Sequence, residues 1–199
     1  KFDSEVIYSS DDLLKMNNLP DSIAIIGAGA IGVEFAYILN SFGVKVTLIE
    51  ALPEILPNVD REISSNLSRT LKKQGISIIT GAKVVSYEKK TNGVELLCEV
   101  DQKEERITVN KIAIATGRVA NIENLGLEEV GVKTEKGFIK TGEYFQTEVE
   151  GIYAIGDVTI LPKLAHVGSK AGEIVAEFIA GVDTEKDIDI DQIPFAVYC

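Results

Sequence analysis

An apolar run, Ile23-Ala24-Ile25-Ile26, breaks into Gly27-Ala28-Gly29-Ala30-Ile31-Gly32, and this junction constrains the fold more than any other stretch of the chain. Apolar residues bounded by glycine predict a strand buried on both faces. Beyond the turn, Ile31, Phe35, Ile38 and Phe42 recur at helical spacing, which predicts a helix with those four residues turned inward and Gly43 at its end. Val44 to Ile49 reads as the next strand, and Glu50 closes it 18 positions after Gly32. Strand, glycine turn, helix and strand make a βαβ unit, the building block of a parallel sheet.

Each glycine of the turn has a physical task. Gly27 permits the tight bend, Gly29 lets the backbone approach a pyrophosphate where a side chain would collide, and Gly32 lets helix and strand pack closely. The phosphates of a dinucleotide would face unpaired N–H groups at the helix N-terminus, where the helix dipole favours negative charge. Glu50 is placed to accept hydrogen bonds from the adenosine ribose hydroxyls. A 2′-phosphate would stand roughly 4 Å from that like charge, costing on the order of 4 kcal/mol at an effective dielectric of about 20. The pattern predicts a site that takes NAD in preference to NADP.

The formal net charge of −11 argues against nucleic acid or an anionic membrane surface as partner. No apolar run approaches the roughly 20 residues that span a bilayer, and no charged-then-apolar leader opens the sequence, so a cytoplasmic location is expected. Cys98 and Cys199 are too far apart in sequence for a metal knuckle, and the single histidine, His166, rules out a multi-histidine metal site. Cys98 shares an apolar strand face with Val94, Leu96 and Val100 and reads as a core thiol. The chain starts at Lys1 without an initiator methionine and closes on Ile193-Pro194-Phe195-Ala196-Val197-Tyr198-Cys199, which reads as the opening of a strand. Both features predict a piece of a longer protein.

Along the chain, Ser10 is expected to cap a short helix through Met16. Asp60 is expected to cap a longer one with Ile63, Leu67 and Leu71 inward, ending at Gly75. Strands are predicted over 76–79, 83–87, 94–100 and 107–109, with turns at Thr91-Asn92-Gly93 and at Gln102-Lys103-Glu104-Glu105. The first of these strands closes a βαβαβ unit, and the strands after it form an antiparallel meander on one face of the parallel sheet. Lys111 to Thr116 is a further buried run leading into Gly117-Arg118. From about residue 117 the sequence is glycine-punctuated and charged. Gly151 to Asp157 then reads as a strand delivering an acid at its end, and a helix is expected from about 168 to 180 with Ala171, Ile174, Val175 and Phe178 on one side.

Four motifs in this order and spacing, Gly27 to Glu34, Ala115-Thr116-Gly117-Arg118, Gly151 to Asp157, and Leu164-Ala165-His166, resemble the flavin-dependent pyridine nucleotide–disulfide oxidoreductases. The stretch Glu50-Ala51-Leu52-Pro53 with Ile55-Leu56-Pro57 and Asp60 is most similar to the members that reoxidise dihydrolipoyl groups of 2-oxoacid dehydrogenase complexes with NAD. The resemblance implies an α/β fold: a Rossmann-like parallel sheet with an antiparallel meander over 1–115, the second half of an FAD-binding domain over 116–190, and the start of a dimerisation domain over 191–199. It implies Gly27, Gly29 and Gly32 at the NAD pyrophosphate, Glu50 at the ribose, Val84 at the adenine and Glu34 at the nicotinamide end. Gly117, Gly156 and Asp157 would belong to the FAD site, with Asp157 on the ribitol and Leu164, Ala165 and His166 lining the isoalloxazine. The N-terminus of the helix near 168 would stabilise negative charge on the reduced flavin.

The redox cysteine pair, the first FAD-binding glycine turn and the His-Glu pair of such enzymes have no counterpart in the sequence, and Gly168 stands where a bulkier residue is common. The expectations are therefore a homodimeric parent enzyme, and a chain that by itself binds NAD, retains no FAD and is catalytically inactive. An NADH oxidase or a mercuric or thiol reductase shares the same motifs, and a non-enzymatic NAD-sensing module would share the first of them.

Overall fold

A computed structural model of the chain describes residues 2–199. They form two compact units, one running up to Gly117 and including Ala196–Cys199, the other spanning Arg118–Phe195. The sequence placed the boundary between 115 and 116 and assigned 191–199 to a separate element; here 191–195 stay with the second unit and 196–199 with the first.

The first unit is built on a five-stranded parallel sheet. Its strands are β1 (Ile7–Tyr8), β2 (Ser22–Ile26), β3 (Lys45–Ile49), β4 (Ser77–Ile79) and β8 (Lys111–Ile114), in the order β1-β8-β2-β3-β4. The period of two along β2 sorts its side chains between two cores. Ile23 and Ile25 pack with Val33, Ala36 and Leu39 of α2 (Ala30–Ser41) and Leu71 of α3 (Arg61–Lys73). Ala24, with Ile49 and Ile112, packs on the other face against Val94, Leu96 and Cys98. Those last three belong to the predicted meander, a separate three-stranded antiparallel sheet of β5 (Ala82–Lys90), β6 (Gly93–Val100) and β7 (Lys103–Val109).

Several local expectations are corrected. Helix α2 buries Gly32, Val33, Ala36 and Leu39, whereas Phe42 is 70% and Ile38 is 43% exposed. The helix is apolar on two adjacent faces, so periodicity alone could not fix its phase. The close approach at Gly32 turns the face of small residues toward the sheet. Helix α3 starts on Asp60 as expected, with Oδ1 accepting from the Glu62 amide at 2.9 Å, but its buried residues are Ser64 and Leu71, and Ile63 is 59% exposed. Ser64 is tolerated inside because its Oγ donates to the Ile55 carbonyl at 2.6 Å.

The cap of α1 (Ser10–Leu14) is Ser9, not Ser10, through a reciprocal capping box with Asp12. The turn expected over 102–105 is only Asp101-Gln102, both residues left-handed, and Lys103, Glu104 and Glu105 already pair with Val100, Glu99 and Cys98. These charged positions lie on an exposed strand, where polarity alone resembles that of a turn.

The second unit contains α4 (Leu127–Val130), the hairpin β9 (Thr134–Glu135) and β10 (Phe138–Ile139), and α5 (Ala165–Ile179). Residues 151–157 do not form the expected strand. A single bridge joins Tyr153 to Gln146, and the chain then enters a 3-10 turn over Gly156–Val158. An apolar run needs a neighbouring strand to satisfy its backbone, and here the partners come instead from a loop: the Ala154 amide donates to the Phe145 carbonyl at 3.0 Å. Helix α5 begins three residues earlier than expected and buries Val167, Ala171 and Ile174. The segment 193–199 is not a strand; Ile193 packs in the core of the second unit and Val197 against the helical side of the first. Among the described residues no helix is long and apolar enough to cross a membrane.

Candidate functional site

The glycine turn joins the carboxyl end of β2 to α2. Gly27 has φ +101°, donates its amide to the Ile49 carbonyl at 2.8 Å, and a Cβ on it would lie 2.5 Å from the Ala115 carbonyl oxygen. A Cβ on Gly32 would lie 1.9 Å from the Gly27 carbonyl oxygen. Both are glycine because the protein itself leaves no room. Gly29 differs: its φ of −71° suits any residue, and a Cβ there would meet nothing within 4 Å. It is also the N-cap of α2, and it has no side chain to satisfy the amides of the first turn. The turn therefore combines open space at Gly29 with first-turn amides that no side chain caps.

Glu50 is buried, with its carboxylate bridging two loops. Oε2 accepts from the Ala28 amide at 2.7 Å and Oε1 from the Leu52 amide at 2.8 Å. Sequence reasoning assigned it a ribose but missed this bracing, which depends on a fold-level contact between residues 22 apart. Each carboxylate oxygen keeps further acceptor capacity. Glu34, half-buried in α2, accepts from the Tyr198 amide at 3.0 Å. Val84 lies beside a bulge in β5 and packs against the core beneath the meander. Cys98 is fully buried, and burial followed by the Glu105 carboxylate pushes its thiol above the usual range.

In the second unit, Asp157 and Arg118 form an ion pair at 2.7 Å, both side chains about half exposed. The sequence singled out both motifs without anticipating that their charges meet. The Gly156 turn is closed by Thr159 Oγ1, which donates to the Gly156 carbonyl at 2.7 Å. Leu164 is the N-cap of α5, and Ala165 and His166 occupy its first turn, exposed. His166 Nε2 donates to the Pro194 carbonyl at 3.0 Å. Gly168 has a local reason to be small: a Cβ there would touch the Gly156 Cα at 3.5 Å, so the start of α5 lies against the Gly156-Asp157 turn. Gly117 ends the first unit, exposed and with φ +135°.

Residues 2–172 match the family model for pyridine nucleotide-disulphide oxidoreductases. Over 198 residues the chain is 41% identical to dihydrolipoyl dehydrogenase of Rhizobium etli, covering 99% of this chain and 41% of that protein. It is 42% identical over 198 residues to dihydrolipoyl dehydrogenase of Bacillus subtilis, covering 98% of this chain and 42% of the relative. Among solved structures, LpdA of Mycobacterium tuberculosis superposes with a TM-score of 0.90 at 26% identity, over 98% of this chain and 42% of that one. The HOCl-induced flavoprotein disulfide reductase RclA of Escherichia coli superposes with a TM-score of 0.85 at 30% identity, over 96% of this chain and 43% of the other.

The chain belongs to the pyridine nucleotide-disulphide oxidoreductase family. Its curated relatives at about 40% identity are dihydrolipoyl dehydrogenases, and the chain spans less than half of their length.

Proposed function

We propose that the chain carries the NAD(H) site and part of the FAD site of a dihydrolipoyl dehydrogenase. The observation that carries the reading is Gly29, whose missing side chain makes room for nothing in the protein itself. Open space above a turn of uncapped amides fits a pyrophosphate, and Gly27 and Gly32 hold that turn in shape. Glu50 holds the turn through Ala28 and presents its remaining lone pairs to ribose hydroxyls. Its charge disfavours a 2′-phosphate, which supports NAD over NADP. Glu34 would serve the nicotinamide end, and Val84 would bound the adenine.

In the second unit, the residues would serve FAD: Asp157, oriented by Arg118, would hold the ribitol, and Leu164, Ala165 and His166 at the start of α5 would border the isoalloxazine. Bound flavin and nicotinamide would supply hydride transfer. The dihydrolipoyl reading is preferred to that of another disulfide reductase because relatives with that name share 41–42% identity, against 30% for RclA. On this reading the whole protein is a homodimer serving 2-oxoacid dehydrogenase complexes, and the chain alone is colourless and inactive with dihydrolipoamide.

Titration calorimetry of the chain with NAD and NADP tests the first part. NAD is expected to bind the tighter, in the micromolar to millimolar range, and Glu50→Gln is expected to narrow the difference. NADP binding as tightly as NAD would overturn the ribose assignment.

A further inference from the structure

A cleft of about 340 Å³ opens beside α3, lined by Arg61, Ser65, Ser68, Arg69 and Lys72 of that helix, by Thr80 just after β4, and by Pro53, Glu54 and Ile55 of the loop after β3. The five helical positions stand at i, i+4, i+7, i+8 and i+11, so they form one stripe along the helix. In a chain of net charge −11, three cationic side chains here converge on one cleft. Arg61 is paired with Glu54 at 3.3 Å, but neither Arg69 nor Lys72 is in an ion pair among the described residues. Arg69 Nε donates back to the Ser65 carbonyl at 3.3 Å, which fixes the guanidinium along the helix and leaves its terminal nitrogens free. The half-buried hydroxyls of Ser65, Ser68 and Thr80 donate to no protein acceptor among the described residues, in contrast to the neighbouring Ser64.

The one acid of the lining, Glu54, is offset by its pair with Arg61, and the remaining polar groups are uncommitted donors: one planar guanidinium fork, one ammonium and three hydroxyls. We propose that this cleft binds a phosphate group, either inorganic or as the terminal phosphate of a small metabolite. A tetrahedral oxyanion accepts bidentate hydrogen bonds from an arginine and single ones from lysine and hydroxyls, and it neutralises the two free cations. The chain's overall negative charge does not forbid this, because acids farther than about 8 Å from the cleft are largely screened at physiological ionic strength. Neither the Gly27–Gly32 turn nor Glu34, Glu50 or Val84 lines the cleft, so its occupancy can be tested apart from the dinucleotide reading.

Two-dimensional NMR of the ¹⁵N-labelled chain, titrated at constant ionic strength with sodium phosphate and separately with glycerol phosphate, tests the proposal. Saturable shifts are expected at Ser65, Ser68, Arg69, Lys72 and Thr80. Both Arg69→Ala/Lys72→Ala and the single reversal Lys72→Glu should weaken binding at least tenfold. These side chains are exposed, so the remaining spectrum should be unchanged. Tighter binding of glycerol phosphate would identify an esterified ligand, and tighter binding of the free ion an inorganic one. Shifts that do not saturate, that are confined to residues 27–32, or that persist in both variants would overturn the site. A response at 27–32 bears only on the dinucleotide reading.

Discussion

Gly29 and Gly32, three residues apart, lack side chains for opposite reasons, and substitution separates them. Gly32→Ala forces a Cβ to within 1.9 Å of the Gly27 carbonyl oxygen, so the turn or α2 must shift. A loss of about 3 kcal/mol is expected, read as a lower thermal midpoint. Gly29→Ala meets nothing in the protein and its backbone already suits alanine. Its stability should hold or rise by about 0.4–1 kcal/mol through a less flexible unfolded chain, while NADH affinity falls at least tenfold. Loss of stability with affinity retained would reverse the assignment of the two glycines. Glu50 illustrates a different limit of residue-level reading. Its type and position pointed to a ribose, but the amides of Ala28 and Leu52 that it holds are visible only once β2 and β3 lie side by side.

At the scale of elements, the βαβ unit was legible because strand, turn, helix and acid each carry a local signal, and the meander because its strands alternate cleanly. Helix phase was not legible where two faces are apolar. Leu39 is 5% exposed and packs in the core, whereas Phe42 is 70% exposed. Leu39→Ala is expected to cost about 2–5 kcal/mol and Phe42→Ser to change stability by less than about 0.5 kcal/mol, measured by urea unfolding. An equal cost for both would restore the inward phase predicted from the sequence. In the second unit, burial and strand formation came apart: the apolar stretch before Asp157 has only a loop to pair with, and no feature of its own sequence reveals that. The Arg118–Asp157 pair was hidden for the same reason, since its two members are 39 residues apart and come together only through the fold of that unit.

At the scale of the whole molecule, the described N-terminal residues are tied down by one carboxylate. Asp3 Oδ1 accepts from the amides of Glu5, Val6 and Ile7 at 3.1, 2.9 and 2.8 Å, and Oδ2 pairs with Lys89 of β5 at 2.6 Å. The Lys89 ammonium, then the Ile7 and Val6 amides, hold the Asp3 carboxyl well below the usual carboxylate range. A carboxyl depressed by folding contributes stability that is complete above its unfolded value and is lost as pH falls through the folded one. Asp3→Asn should therefore lower the thermal midpoint near neutrality and flatten its decline on acidification, measured from pH 7 down to pH 2. An unchanged acid limb would show that the pair contributes nothing.

Cys98 stands where the meander meets the parallel sheet, fully buried, while Cys199 is exposed, and desolvation pushes both thiols up. A disulfide reagent can reach Cys98 only when β5, β6 and β7 lift away, so its labelling rate counts those openings one at a time. One thiol should react at once and the other at least a thousandfold more slowly, with the slow phase accelerating in mild urea. The molecule carries, in a buried core side chain, its own clock for how often the sheet is uncovered.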